Sequence, residues 1–401
     1  MTQRTTEFGR RLKKLTAHHD QICRRRNAID DDWLNGICAR YRQPVLTRDH
    51  VPLAWRFDLN PATNPFLLER LGVNAVFNPG AIYRDGKFLL VARVEGADRK
   101  SFFAVAESRT GVDQFRFWDF PVDLPERDAD ETNIYDLRLV QHADGWLYGI
   151  FCTERRDPRA RPGDLSAAIA QCGIVRTHDL RRWERLPDIR TPSRQQRNIV
   201  LHPEFVNGQY GFYTRPADDF MEAGTGGGIG WGLVRDLQRP VIRQQTIIDP
   251  RGYHTIKEGK NGLGPAPIKT ARGWLQLAHG VRTNAAGMRY VLYAFLTALD
   301  DPARVIAAPG GYLLAPRGME RVGDVSDVLF CNGWAVTPDG RIFLYYASSD
   351  TRIHVATTTV AQLLDYVLQT PPDARRTRRC FEQRRELIQR NRAYQTKGRN
   401  R

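Results

Sequence analysis

Between residues 46 and 358 the hydrophobic positions gather into short, aromatic-rich runs with few long stripes of helical period, which predicts strands as the main material. Five such runs recur, at residues 82–94, 141–154, 204–216, 269–281 and 336–348. Each sets a turn dipeptide before an apolar strand: Asp85-Gly86, Asp144-Gly145, Asn207-Gly208, Arg272-Gly273 and Asp339-Gly340. Asp-Gly and Asn-Gly signal hairpins because tight two-residue turns need positive φ; Arg-Gly is weaker alone and is carried by the pattern. The turns lie 59, 63, 65 and 67 residues apart, room for about four strands plus loops, which is one propeller blade. Fainter turn marks at 178–186, 235–242 and 299–306 suit the outer strands. The expected fold is therefore all-β, a five-bladed β-propeller. A β-sandwich of unrelated hairpins would not require such even spacing.

The two ends have another pattern. Residues 5–42 place Phe8, Leu12 and Leu15, then Ile22, Leu34 and Ile37, among charges, which predicts one or two amphipathic helices. Residues 359–368 and 379–394 also read as helical. The chain thus divides into an N-terminal helical extension (1–45), a propeller (46–358) and a basic helical C-terminal extension (359–401). Helical extensions of this kind could brace the propeller or join copies of it.

Composition narrows the class. Of 401 residues, 41% are hydrophobic, 10% aromatic and 26% charged, as in an ordinary soluble globular protein. No apolar run approaches the ~20 residues of a membrane span. The basic N-terminus lacks the apolar stretch of a secretory signal, so a cytoplasmic address is expected. Six scattered cysteines (Cys23, Cys38, Cys152, Cys172, Cys331, Cys380) show no metal-ligand spacing and read as reduced thiols, so no metal site is expected. The net charge of +15 sits at the ends: the last 31 residues hold eleven Lys/Arg against three acids, the first 45 ten against five. No nucleic-acid module accompanies it, so solvated helical faces or subunit contacts are expected rather than a nucleic-acid partner.

The chemistry lies in the near-neutral middle. Innermost propeller strands line a central funnel, and in this chain they repeatedly end in polar groups. Before the turns stand Asn78, Asp136 and His202; after them stand Arg93 with Glu95, Glu154 with Arg155 and Arg156, Arg215, His279 and Asp350. Buried charge has to be paired or engaged by a ligand. Asp136 alternates with apolar residues, beside Tyr135 and Arg138. Glycosidic cleavage needs an acid for the departing oxygen, and inverting hydrolysis needs a second carboxylate to activate water. Phosphate as nucleophile needs no such base but does need a cationic cradle. Arg93, Arg197, Arg215 and Lys260 supply cations around the funnel, and a second acid is hard to place. The run at 257–269 is rich in Gly, Pro and Lys; it could wrap a phosphate with backbone N–H groups or be a plain inter-blade loop.

These residues, in this order, resemble glycoside hydrolase family 130, the β-mannoside phosphorylases, and within it the mannosyl-glucose subgroup. The carrying motifs are FNPGAI (77–82), VARVEG (91–96), NIYDLRL (133–139), HPEFVNGQYGFYTRP (202–216), GLGPAPIKT (262–270) with LAHGV (277–281), GDVSDVLF (323–330) and YYASSDT (345–351). The resemblance implies a five-bladed propeller and metal-free inverting phosphorolysis of a β-1,4-mannoside, 4-O-β-D-mannosyl-D-glucose in that subgroup. The products would be α-mannose 1-phosphate and a free sugar, with phosphate as co-substrate and no cofactor. It implies that Asp136 is the only catalytic carboxylate, giving its proton through the mannose 3-hydroxyl. Phosphate contacts fall on Arg197, Arg215, Lys260 and His279, with Lys257 and Lys269 as competitors for the lysine. Mannose recognition falls on Asn78, Arg93 and Asp350, with Tyr135 beside them. The chain departs from the family in reading Tyr-Thr-Arg-Pro where many relatives have His-Arg-Pro, which removes no charge. The subgroup tends to form homo-oligomers.

Four readings stay open beside this one. They are a β-1,4-mannooligosaccharide phosphorylase, an inverting β-mannosidase using Glu154 or Glu204, a furanosidase-type hydrolase with three funnel acids, and a non-catalytic glycan- or RNA-binding propeller.

Overall fold

The computed structural model describes residues 3–164, 166–218, 223–224 and 226–399. Helix α1 (Gln3–Arg24) leads into strands β1 (Ile29–Leu34) and β2 (Ala39–Tyr41). Blade 1 comprises β3 (Val73–Arg84), β4 (Lys87–Gly96), β5 (Ser101–Ser108) and β6 (Arg116–Phe117), and blade 2 β7 (Glu131–Gln141), β8 (Leu147–Arg156), β9 (Ala168–Thr177) and β10 (Glu184–Ile189). A short ribbon pairs β11 (Gln195–Gln196) with β14 (Pro216–Ala217) and flanks blade 3, which is β12 (Val200–Val206), β13 (Gln209–Thr214), β15 (Ile229–Val234) and β16 (Thr246–Asp249). Blade 4 splits its inner strand into β17 (Lys260–Leu263) and β18 (Ile268–Thr270), both paired to β19 (Gly273–Asn284), then β20 (Gly287–Thr297) and β21 (Val305–Ala307). Blade 5 is β22 (Leu329–Val336), β23 (Arg341–Ser348) and β24 (Arg352–Thr359), followed by α2 (Val360–Gln369) and α3 (Thr377–Arg399). The five blades of the sequence reading are present, all antiparallel.

The five turns link the expected strands. At two of them both central residues have positive φ, Asp85 (52°) with Gly86 (73°) and Asn207 (51°) with Gly208 (71°), the geometry that matches strand twist. Apolar clusters fill the wedges between blades. Val91 and Phe103 meet Leu137 and Phe151 between blades 1 and 2, and Phe88 and Leu90 meet Phe343 and Tyr345 between blades 5 and 1.

One expectation is corrected. The helix predicted within 5–42 ends at Arg24, and residues carrying Leu34 and Ile37 are not helical. Asn35 turns the chain there, its Oδ1 accepting from the backbone N–H of Ile37 (2.9 Å) and Cys38 (2.8 Å). β2 then adds to β24 (Ala39↔Thr357, Arg40↔Ala356), so the N-terminal segment completes the outer edge of the last blade. Without it, β24 would present an open row of backbone donors and acceptors. Arg40 locks this closure, buried and ion-paired with Glu320.

At the C-terminal end Thr359 caps α2, its hydroxyl accepting from Gln362 N–H (3.1 Å), and α2 buries Leu363 and Val367 in the wedge of blades 4 and 5. Helix α3 instead exposes Phe381, Leu387, Ile388 and Tyr394. Among the described residues no helix is long and apolar enough to cross a membrane.

Candidate active site

The inner strands converge so closely that Gly80 and Gly333 leave no room for a side chain. A Cβ on Gly80 would lie 2.8 Å from the Leu137 carbonyl oxygen, and one on Gly333 2.6 Å from the Pro79 carbonyl oxygen. Here the inner ladders slip: the pairing shifts between Phe77 and Gly80, between Tyr135 and Arg138, and between Cys331 and Gly333. These bulges re-aim the residues they contain, Asn78, Asp136 and Asn332, towards the axis. Asn78 (φ 45°) and Asp136 (φ 60°) hold left-handed backbone, as does Asn198 (φ 58°) ahead of the inner strand of blade 3. Asn and Asp are the non-glycine residues that tolerate this region best.

Arg138 ties the axis together. Its fully buried guanidinium donates to the carbonyl oxygens of Gly264 (2.8 Å) and Asp136 (2.9 Å) and to Asn198 Oδ1 (2.8 Å). One side chain from blade 2 thereby holds blades 3 and 4.

One wall of the funnel is acidic. Asp136 is buried, and its Oδ1 accepts from Asn78 Nδ2 (2.9 Å) and Arg93 Nη1 (3.3 Å). The Arg93 guanidinium lies between the rings of Phe77 (4.3 Å) and Tyr135 (4.8 Å). Its Nε donates to Ser101 Oγ (2.9 Å) and its Nη2 to Glu95 Oε2 (2.6 Å). Burial works against the Arg93 charge, but Asp136, Glu95 and Asp350 more than offset it and raise its pKa. Asp350, in left-handed backbone (φ 49°), is pushed up to about 7 by burial, with Asp136 adding and Arg93 opposing.

The facing wall is cationic. The β11–β14 ribbon pairs Gln196 with Pro216, which sets Arg197 and Arg215 side by side. Arg215 is buried, and its pKa is lowered by burial and then by Arg197. Lys260 is pushed down to about 8 by burial, with Arg215 and Arg197 adding. His279 pairs with Gly262 across β17 and β19; a Cβ at Gly262 would lie 2.8 Å from the imidazole and 2.9 Å from Arg215 Cδ. Burial drives the His279 pKa well below its usual range, with Arg215, Arg138 and Lys260 adding, so the ring is neutral. Among the described residues neither of its buried nitrogens has a hydrogen-bond partner. Among the described residues this wall gathers cationic and hydrogen-bond-donating side chains, a chemistry that suits an anion.

The structure thus brings Asn78, Arg93, Tyr135, Asp136 and Asp350 to one side and Arg197, Arg215, Lys260 and His279 to the other. The two competing lysines are each held by a carboxylate. Lys257 is paired with Asp249, and Lys269 forms an exposed pair with Glu204 (2.6 Å). Glu204 is thereby off the funnel. Glu154 Oε1 accepts from Tyr135 OH (2.6 Å). His202 packs among Tyr213, Trp231 and Trp274, and burial pushes it down to about 3, so it belongs to blade packing and not to the site.

Tyr290 was not legible. It stacks on His279 (6.1 Å), receives Lys260 over its ring (5.7 Å), and feels Arg215 and Arg197 from one wall and Asp350 and Asp136 from the other. It sits on β20, the third strand of blade 4, opposite Val281, where the inner-strand rule does not look.

Comparison with known proteins agrees with this geometry. The family model described as beta-1,4-mannooligosaccharide phosphorylase matches residues 44–369. The chain is 59% identical over 384 residues to the 4-O-beta-D-mannosyl-D-glucose phosphorylase of Bacteroides fragilis, covering 96% of this chain and 98% of that one. It is 29% identical over 331 residues to the beta-1,4-mannooligosaccharide phosphorylase of Ruminococcus albus, covering 78% and 90%. The beta-1,2-mannobiose phosphorylase structure from Listeria innocua shares the fold at TM-score 0.66 and 21% identity, covering 84% of this chain and all of that one. With a matching family model over most of its length and a relative of such high identity, the chain belongs to glycoside hydrolase family 130, the β-mannoside phosphorylases.

Proposed function

We propose that this protein phosphorolyses 4-O-β-D-mannosyl-D-glucose with inversion, giving α-D-mannose 1-phosphate and D-glucose. The observation that carries the reading is the division of one funnel into a wall presenting Asp136 and a facing wall of Arg197, Arg215, Lys260 and His279. Mannose would lie between them, held by Asn78, Arg93 and Asp350, with Tyr135 beneath. A phosphate oxygen attacks the anomeric carbon from the cationic side as the glycosidic bond breaks on the other. The departing oxygen takes the proton of the mannose 3-hydroxyl, which Asp136 replaces; solvent then reprotonates Asp136. Phosphate is a co-substrate, and the reading calls for no cofactor or metal.

Hydrolysis is disfavoured because the two candidate bases are engaged elsewhere, Glu154 with Tyr135 and Glu204 with Lys269. The relative from Bacteroides fragilis supports glucose as the acceptor. We further propose that α3, with its uncovered apolar residues, joins copies of this chain into a homo-oligomer, and that the six free cysteines suit the reducing cytoplasm.

The test is to supply disaccharide with and without phosphate, then α-mannose 1-phosphate with a panel of acceptors. Sugar phosphate should form only with phosphate present, and glucose should release phosphate fastest. Undiminished cleavage in phosphate-free buffer would overturn phosphorolysis. Preference for mannose or mannooligosaccharide acceptors would move the assignment to the mannooligosaccharide enzyme.

A further inference from the structure

Behind the acidic wall lies a second carboxylate that the reaction does not use. Glu95, on β4, is 1% exposed, and no solvent shares its charge. Its Oε2 accepts from Arg93 Nη2 (2.6 Å), and its Oε1 from Asn74 Nδ2 (3.2 Å) with Arg99 Nη1 at 3.1 Å. Arg99 also pairs with Asp324 on the loop before β22, which ties the cluster to blade 5. Burying a carboxylate this completely is costly, and a hydrophobic residue of similar volume would suit a purely structural position on this strand.

The geometry shows what the charge does. Arg93 could engage Asp136 with two parallel N–H donors, as guanidinium and carboxylate prefer. Instead Glu95 takes Nη2 and Ser101 takes Nε, leaving Nη1 alone for Asp136 at 3.3 Å. A bidentate clamp would occupy both oxygens of Asp136. A single contact leaves one oxygen for a substrate hydroxyl.

We propose that Glu95 is a positioning residue: it draws Arg93 away from a bidentate grip on Asp136 and so keeps Asp136 available as a proton donor. This rests on the phosphorylase reading above. The charged and titratable groups facing Asp136 are Arg93 on β4, Cys152 on β8, Tyr290 on β20, Asp350 beyond β23 and Arg138 on its own strand. Losing Glu95 removes one negative charge from behind Arg93 and frees a donor towards Asp136. The freed donor can then take the second Asp136 oxygen, the one a substrate hydroxyl needs.

The experiment compares Glu95→Gln and Glu95→Asp with the wild type in the full-length enzyme, with both substrates varied. For Glu95→Gln, kcat should fall by roughly tenfold to 10²-fold, the scale of a misplaced catalytic group. KM for phosphate should stay nearly unchanged, because the cationic wall is untouched. Glu95→Asp, which keeps a carboxylate for Arg93, should recover part of the rate. Wild-type kcat in Glu95→Gln, a loss shared equally by kcat and phosphate binding, or no recovery in Glu95→Asp would overturn the proposal. Asp136→Asn and a phosphate-free assay serve as the separating controls: turnover kept in either removes the Asp136 or the phosphorolysis part of the reading; if both abolish it while Glu95→Gln is normal, only Glu95 loses its role.

Discussion

Asn78 donates its Nδ2 to Asp136 Oδ1 at 2.9 Å, from the matching bulge of the neighbouring inner strand. Both residues hold left-handed backbone, so neighbouring blades place an amide and a carboxylate by one local device. This device separates activity from stability. Asn tolerates the left-handed region nearly as well as Asp and keeps the same shape.

Asp136→Asn should therefore fold with a denaturant midpoint close to wild type while kcat falls about 10²- to 10⁴-fold, the usual contribution of a general acid. Asp136→Val puts a β-branched residue at φ 60° and should lose stability as well. Steady-state kinetics and chemical denaturation on both variants check this; normal kcat in Asp136→Asn would remove Asp136 from the reaction.

On the proposed reaction, Lys260 should make phosphate binding depend on pH. Its folded pKa is lowered to about 8 by burial and by Arg215 and Arg197, while the unfolded chain keeps the ordinary lysine value. Between these values the unfolded state holds more protons, so this group's contribution to stability rises with pH across that window. Phosphate binding favours the charged form and has the opposite sense. KM for phosphate should climb above about pH 8, and calorimetry there should show proton uptake on binding. Arg215→Ala should raise KM for phosphate by about 10- to 10²-fold, the cost of a charge-assisted bond, with a smaller change for disaccharide. It should also move the rise in KM to higher pH, because one cation beside Lys260 is gone.

Much of this architecture was legible because it depends on local rules. Turn dipeptides at near-even spacing declared five blades, and polar ends on apolar strands declared Asn78, Arg93, Asp136, Arg215 and His279. Two features escaped for physical reasons. Residues 29–41 form an outer strand pair because an open blade edge some 320 residues away accepts them, and no local pattern reports such a partner. Tyr290 comes from β20, the third strand of its blade, where it pairs with Val281 of β19 and stacks on His279. His202 failed in the other direction. It matches the inner-strand pattern, but aromatic rings surround it.

Gly262 should matter through space alone. Its missing side chain lets His279 and Arg215 meet over β17, with the imidazole 2.8 Å and Arg215 Cδ 2.9 Å from where a Cβ would stand. Gly262→Ala should push both groups aside, raising KM for phosphate several-fold with kcat at saturating phosphate less affected. Overpacking of this kind costs about 1–3 kcal/mol, so the denaturant midpoint should drop too. Isothermal titration with phosphate measures the effect directly, and unchanged affinity would show that the wall accommodates the methyl group.

Arg138 carries the opposite risk, an axis without its donor. Three acceptors from blades 2, 3 and 4 converge on one fully buried guanidinium: Asp136 O, Asn198 Oδ1 and Gly264 O. Arg138→Met fills similar volume but leaves all three unsatisfied, and each buried orphan costs about 1–3 kcal/mol. A loss of about 3 kcal/mol or more is expected, read as a lower denaturant midpoint. Arg138→Lys keeps the charge, yet a single ammonium cannot span three acceptors held by a planar fork, so it should recover only part of the stability. Because one acceptor is the carbonyl of Asp136 itself, kcat should fall in both variants even where they remain folded. A fully stable Arg138→Met would mean that close packing at Gly80 and Gly333 holds the axis without it.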